Sequence, residues 1–382
     1  MSSPLLILGA SARAAAFSAR RAGLTPRAVD LFGDVDLLAC CPASLAKRYP
    51  ADLANLASAA PPDEPWMYTG ALENYPVLVD QIAAARRLYG NCGETLRRVR
   101  DPRQLATAFR ERGLSFPEMS ETPEKLPLDG GWLRKAVRSS GGAQIEVWDR
   151  RAARIQPRRR DAYYQRRVEG RTCSAVYVGA GGKAALLGVT EQLIGAPWCG
   201  AVGFQYAGSL GPLPLKPETL SRFDEIGRCV AEAFPLQGLF GVDAVLAEEA
   251  IWPLEVNPRY TASVEVLERA LDLQAVRHHI EACRDGLLPK WVSASARATV
   301  GKAILFAQAP TTIPDAFVQQ CLVANRQAPW PQVADIPAPG TTIQPGRPIM
   351  TVFSEGVDRS AVLNRLREQA GSWRNRLIRS SG

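Results

Sequence analysis

Two segments in the second half of the chain hold residue types that together could manage a metal ion and an anion. Gly241-Val242-Asp243-Ala244-Val245 is followed by Pro253-Leu254-Glu255-Val256-Asn257-Pro258-Arg259. Both read as strands. If Glu248-Glu249-Ala250 is a three-residue hairpin loop, Ala247 faces Ile251, Val245 faces Pro253 and Asp243 faces Glu255. Asn257 lies two residues beyond Glu255 and projects from the same face. Opposed carboxylates repel, and one must hold a proton unless a cation removes the conflict. All-oxygen donors in so small a number suit Mg²⁺ that also bridges phosphates. Arg259 adds fixed positive charge and a planar donor fork for an oxyanion. The competing reading is an exposed hairpin edge with solvated acids, marked by Pro253.

Further upstream, Lys135 sits in the apolar strand Gly131 to Val137, shortly before Ser139-Ser140-Gly141-Gly142-Ala143. An ammonium beside a small-residue loop can hold phosphates, because glycine lets backbone N–H groups approach the anion. An outward lysine before an ordinary turn is the alternative. Tyr163 to Gly170 ends a strand in a turn whose exposed backbone could pair with an adenine edge, with Glu169 placed to accept from ribose hydroxyls. Gly179-Ala180-Gly181-Gly182-Lys183 imitates a P-loop, but Ala184 replaces the required Ser or Thr, so a hairpin turn is predicted. The six arginines from Arg150 to Arg160 lack an interleaved aromatic platform, which argues against nucleic-acid binding. A solvated loop, or one closing over phosphates, fits them better.

Other chemistries find little support. The only histidines, His278 and His279, are neighbours on a helix and point apart, so neither a His-rich metal site nor a Ser–His or Cys–His pair is visible. The eight cysteines form no CxxC pair, and free thiols in a reducing cytoplasm are expected. The apolar run Leu5 to Leu8 is too short for a leader, and no run nears the roughly 18 apolar residues of a membrane helix. A soluble cytoplasmic protein without membrane association is therefore the expectation.

The elements that must position these residues follow from composition and pattern. The chain has 382 residues, 46 % of them apolar and 22 % charged, with a net charge of +8 that suits an anionic partner. At roughly 150 residues per domain, two or three domains are expected. Strand Leu5–Leu8, helix Ala14–Ala22 and strand Ala28–Leu31 open the chain as a βαβ layer. It lacks GxGxxG, so dinucleotide binding is unsupported. Helices are predicted over about 76–89, 102–112 and 217–233. A long one is predicted from Val264 to Cys283 and a terminal one from Ser360 to Gln369. Strands Ser174–Val178 and Ala184–Val189 should form a hairpin.

Taken in order, Lys135, the Ser-Ser-Gly-Gly loop, Gln165 to Gly170, Asp243 and the Glu255-Val256-Asn257-Pro258-Arg259 element resemble the ATP-grasp superfamily over about residues 102–270. The resemblance implies an α/β and α+β fold in three parts. These are a Rossmann-like layer (1–115), a small β-rich lid (116–190) and a larger α+β part with a C-terminal extension (191–382). It implies ATP held by Lys135, Gly141 and Gly142 at the phosphates, by backbone of Arg167 and Val168 at adenine, and by Glu169 at ribose. Asp243, Glu255 and Asn257 would hold Mg²⁺, or Mn²⁺ in its place. Arg259 and Lys135 would carry catalysis. The implied chemistry joins small-molecule carboxylate and amine substrates through an acyl phosphate, releasing ADP and phosphate. Arg13, Glu73 and Asn74 are candidate substrate contacts. A homodimer is implied by analogy, and a non-catalytic ATP-binding regulatory or assembly protein is the alternative. Departures are Leu133-Arg134-Lys135-Ala136 where many relatives have Lys-Pro, and Arg166-Arg167 where an acid is common. Asp335 to Gly340 with Gly346 to Ile349 looks like the trailing region of carboxylase-type members, but no Met-Lys biotin acceptor is present. The whole chain is also similar to members linked to one-carbon carrier metabolism, which implies an amide in a pterin or furan cofactor.

Overall fold

The computed structural model describes residues 3–155, 161–248, 250–290, 296–326 and 330–380. Arg158, Arg159 and Arg160 of the basic run lie outside them. The first unit is a parallel sheet of β1 (Pro4–Leu8), β2 (Thr25–Asp30), β3 (Ala43–Leu45) and β4 (Trp66–Tyr68), in the order β3-β2-β1-β4. Helices α1 (Arg13–Arg21), α2 (Val35–Cys40), α3 (Leu53–Ser58) and α4 (Pro76–Ala83) surround it. Helices α5 (Gly93–Val99) and α6 (Pro102–Glu111) lead out of this unit; Asp101 caps α6 and Pro102 starts it.

The small sheet follows, with β5 (Met119–Ser120), β6 (Asp129–Ala136), β7 (Ile145–Asp149), the short α7 (Arg150–Ile155) and β8 (Ala162–Arg166), ordered β5-β8-β6-β7. Its core is Trp132, Trp148 and Tyr164. The sequence reading extends this part to residue 190, but the small sheet ends at Arg166. The hairpin β9 (Arg171–Ala180) and β10 (Lys183–Ile194) belongs to the large sheet instead. The reason is burial: Cys173 to Ala180 are covered on both faces, which a lid strand would not be. The turn between them is Gly181-Gly182, both at positive φ, so the P-loop imitation is a two-residue hairpin turn.

The large sheet continues with β11 (Tyr206–Gly211), α8 (Pro217–Ala233), β12 (Gly238–Ala247), β13 (Ala250–Asn257), α9 (Ala262–Leu271), α10 (Ala275–Asp285) and β14 (Thr299–Phe306). After β15 (Thr311–Thr312) and α11 (Asp315–Asn325) come β16 (Val333–Ala334), β17 (Thr342–Ile343), β18 (Pro348–Gly356) and α12 (Arg359–Ser380). The eight strands are ordered β13-β12-β9-β10-β11-β14-β18-β16. On one face, α8 packs Phe223, Ile226 and Val230 against Tyr177 and Val242. On the other, Val264, Leu267 and Val276 share a core with Val176 and Val178. The alanines of α1 (Ala15, Ala16, Ala19) join that core from the first unit.

Three predicted helices differ. The one over about 76–89 ends at Ala83, and Leu88 and Tyr89 instead pair with Trp66 at the edge of the parallel sheet. The long helix over 264–283 is two helices, broken at Asp272, which takes φ +55°. The cause is the buried Glu268, whose carboxylate accepts from Ala275 N–H at 2.9 Å and so caps α10. The terminal helix runs on to Ser380 because Ala370, Trp373 and Leu377 continue the buried stripe of Val362 and Leu366. Among the described residues no helix is long and apolar enough to cross a membrane.

His279 of α10 clasps the first unit to the large sheet. Its Nδ1 accepts from Leu239 N–H at 2.8 Å, and Nε2 lies 3.1 Å from the Tyr89 carbonyl oxygen, so neutral imidazole donates there. Burial pushes its pKa down to about 4 from the ordinary 6.5. The clasp's contribution is thus full above pH 6.5 and is lost as pH falls from 6.5 towards 4, as the unfolded chain takes up the proton first. At 1.36 kcal/mol per pH unit, the loss by pH 4 is about 3 kcal/mol. Urea unfolding of His279→Gln beside the wild-type protein should show a flatter pH dependence across that window.

Candidate functional site

The two candidate carboxylates do stand opposite each other, by a route different from the predicted one. The hairpin loop is a residue shorter, with Ala247 paired to Ala250 and Ala244 to Pro253. A bulge at Leu254 then restores the register, so Asp243 pairs with Glu255 and Gly241 with Asn257. Gln192 of β10 donates to Asp243 Oδ1 and Asn257 to Oδ2, each at 3.0 Å. Burial and the charge of Glu255 push Asp243 up to about 7. Glu255 goes the other way. Burial opposes its ionisation, but Arg100, Lys135 and Arg259 outweigh that and hold it below the usual carboxylate range.

Lys135 of β6 is buried. Its Nζ donates to Gln165 Oε1 at 3.1 Å and lies over the Tyr163 ring at 5.9 Å, with no ion pair among the described residues. The charges of Glu255 and Asp243 favour the ammonium from beyond ion-pair distance, and an anion in the cavity would pair with it directly. The loop after it is held from both sides. Arg100 and Asn74 donate to the Ser139 carbonyl at 3.1 and 3.3 Å, and Tyr206 N–H donates to Gly141 oxygen at 3.0 Å. Gly142 has φ +77°, and a Cβ there would lie 1.8 Å from the Phe204 carbonyl oxygen, so only glycine fits.

Lys135, Gly141, Gly142, Arg167, Val168 and Glu169 line one cavity of about 490 Å³, together with Asp243, Glu255, Asn257 and Arg259. At the hinge, Arg167 N–H already donates to Gly131 oxygen at 2.9 Å. The backbone edge left there is the Arg167 carbonyl with Val168 N–H. Glu169 is exposed.

The candidate substrate contacts fare differently. Glu73 Oε1 accepts from Arg259 at 2.7 Å, which ties the first unit to the face that bears the two carboxylates. Tyr68 and Asn91 hold the Pro258 carbonyl from the same side at 3.4 and 3.1 Å. Arg13 does not reach the cavity. It is buried, pairs with Asp335 at 2.9 Å and Asp36 at 3.7 Å, and also bonds Glu265. The start of α1 is no anion site either, because Asp30 Oδ2 accepts from Ala12 N–H at 2.7 Å. Arg13 is corrected to a structural residue: burial opposes carboxylate charge at Glu265, but Arg13 and Lys302 hold it near 2.

The sequence reading missed Arg100 and Gln192. Arg100 NH1 lies 3.8 Å from Glu255 and donates to the Val256 carbonyl at 3.4 Å. Its only local signal is a position just before the Asp101-Pro102 helix start. Gln192 carries none, since its role appears only when β9 places β10 near β12.

A divalent cation fits the donor set. Asp243, Glu255 and the Asn257 amide are all oxygen donors, and the unresolved repulsion between the carboxylates is what such an ion relieves. No group of three or more His, Cys, Asp or Glu among the described residues could hold a metal by itself. An ion here would complete its shell from substrate oxygens, as Mg²⁺ does.

Residues 99–263 match the family model of the ATP-grasp domain. None of the curated proteins matches the sequence. Among solved structures, N5-carboxyaminoimidazole synthase from Aspergillus clavatus is similar with a TM-score of 0.71 at 14 % identity, over 98 % of this chain and 99 % of that one. L-amino acid ligase from Bacillus licheniformis gives 0.71 at 15 %, over 96 % and 97 %. Rhizobium etli pyruvate carboxylase gives 0.70 at 16 %, over 96 % of this chain, which spans only 37 % of that longer one. The chain thus has the ATP-grasp fold, and its match to the ATP-grasp domain covers residues 99–263.

Two substitutions check the site's construction. Gly142→Ala should destabilise by more than the roughly 1–2 kcal/mol penalty of a left-handed non-glycine residue, because the clash with the Phe204 carbonyl adds to it, and should speed hydrogen exchange at the Tyr206 amide. Arg13→Ala should destabilise by about 3–5 kcal/mol, because it strands buried carboxylates; chemical denaturation measures it.

Proposed function

We propose that this chain is an ATP- and Mg²⁺-dependent ligase that joins a carboxylate to an amine and releases ADP and phosphate. One observation carries the reading. A single cavity gathers an ion-unpaired buried lysine, a glycine loop clamped beside it, and opposed carboxylates flanked by Arg259. Support also comes from the Aspergillus clavatus relative, whose structure holds ADP and 5-aminoimidazole ribonucleotide.

Lys135 and the N–H groups of Gly141 and Gly142 would hold the phosphates. Arg167 and Val168 would meet adenine through the remaining backbone edge, and Glu169 would accept from the ribose. Asp243, Glu255 and Asn257 would hold Mg²⁺, or Mn²⁺ in its place. That ion, when bound, supplies charge neutralisation to the transferring phosphoryl group. A substrate carboxylate oxygen bonds to the γ-phosphorus as its bond to the ADP oxygen breaks. The amine nitrogen then bonds to the carbonyl carbon, phosphate leaves, and the amine gives up a proton. Arg259 stands beside both acids and would stabilise the oxyanions of these steps. The closed glycine loop keeps water from the acyl phosphate. If the sequence's resemblance to one-carbon carrier ligases extends to the substrate, the product is a pterin or furan amide made in the cytoplasm.

Thermal unfolding tests the reading. Mg²⁺-ATP at about 100 times its dissociation constant should stabilise by roughly 2.7 kcal/mol, and ATP without Mg²⁺ by less. Glu255→Gln should keep the fold, lose the Mg²⁺-dependent part of the shift and lose ADP release. A wild-type protein unmoved by Mg²⁺-ATP would refute the ligase reading.

A further inference from the structure

The nucleotide cavity is the smaller of two that lie on either side of one wall. A second cavity, of about 940 Å³, lies between α5, α6 and the β5–β8 side of the small sheet. That volume is at the upper end of ordinary small-molecule sites. We propose that this cavity is the chamber for the amine substrate, and that its ligand is a zwitterion of amino-acid type with an apolar body. The assignment rests on the ligase reading above.

The shared wall is the first argument. Glu73, Asn74 and Arg100 line the second cavity, while Glu255, Arg259 and Ser139 line the first. The two ion pairs in the wall each take one member from either side: Glu73 with Arg259 at 2.7 Å and Arg100 with Glu255 at 3.8 Å. A ligand in the second cavity therefore abuts the groups that would surround the transferring phosphoryl.

Unmatched hydrogen-bonding capacity is the second. Glu73 is 3 % exposed, and its Oε2 accepts no hydrogen bond; Asn74 Oδ1, also buried, accepts none. Both are acceptors, so the missing partner is a donor. An amine is the donor this reaction needs.

The lining sets the rest of the ligand. Arg103, Arg110 and Arg138 share it with Asp101, Glu118 and Asp161, so neither sign dominates. A polyanion such as nucleic acid or a polyphosphate is disfavoured, and a zwitterion is matched. Leu96, Leu114, Phe116 and Met119 offer apolar surface for a side chain.

Filling the chamber from α6, away from the nucleotide cavity, provides the test. The probes are the standard L-amino acids, each added at millimolar concentration to protein saturated with Mg²⁺-ATP, with melting temperature as readout. Wild-type protein should gain a further shift with an apolar amino acid. Ala106→Trp and Thr107→Trp should keep the Mg²⁺-ATP shift but need roughly tenfold more of that probe, about 1.4 kcal/mol. No added shift with any amino acid in the wild-type protein, or unchanged midpoints in the variants that fold, would overturn the chamber while leaving the nucleotide site intact. Absence of the Mg²⁺-ATP shift itself would instead remove the ligase reading and the chamber with it.

Discussion

Two half-buried carboxylates directly across an antiparallel ladder are the constraint around which this molecule is arranged. Like charges so placed destabilise a sheet. The fold meets the conflict by making the two surroundings unequal. Asp243 receives the amides of Gln192 and Asn257, while Glu255 is surrounded by Arg100, Lys135 and Arg259. Those groups come from β10, the end of β13, the lead-in to α6 and strand β6. Keeping one acid ionised and its neighbour on the edge of protonation thus requires the small sheet, the large sheet and the connecting helices to converge on one point.

Much of that convergence is legible in the sequence, because strand alternation and glycine positions are local. Lys135, the glycine loop and the hinge reach one cavity, as their order along the chain suggests. The pairing of Asp243 with Glu255 is also legible, although a shorter loop and the bulge at Leu254 offset each other. No local pattern announces a bulge. What cannot be read locally is the partner of a charge. Arg13 at a helix start looks like an anion contact, yet its carboxylates lie at positions 36, 265 and 335. The break in the predicted 264–283 helix has the same origin, since Glu268 caps α10 only once it is buried against Ser18 and Arg21 of α1.

The first unit illustrates how a familiar layer can be put to another use. Parallel sheets bind ligands beyond the carboxyl ends of their strands, where strand order reverses. Here that place, between β1 and β4, is already filled. Asp30 caps α1, and the Arg259 guanidinium packs over Gly70, 3.6 Å from where a Cβ would stand. The unit supplies contacts instead of binding a nucleotide: Glu73 to Arg259, and Tyr68 and Asn91 to the Pro258 carbonyl. Its carboxyl ends act as a buttress that fixes the strand end bearing Asn257 and Arg259.

The glycine loop is tied down at few points. Three hydrogen bonds hold it, two on the Ser139 carbonyl and one on the Gly141 carbonyl, and they come from three different parts of the chain. At about 0.5–1.5 kcal/mol net for each, the three bonds favour the closed loop by roughly 1.5–4.5 kcal/mol before the entropy of ordering it is subtracted. Ordering the loop costs about 1–2 kcal/mol for each residue fixed, so these three bonds alone do not offset it. A ligand that added one or two contacts to the loop's amides would shift the balance towards the closed arrangement.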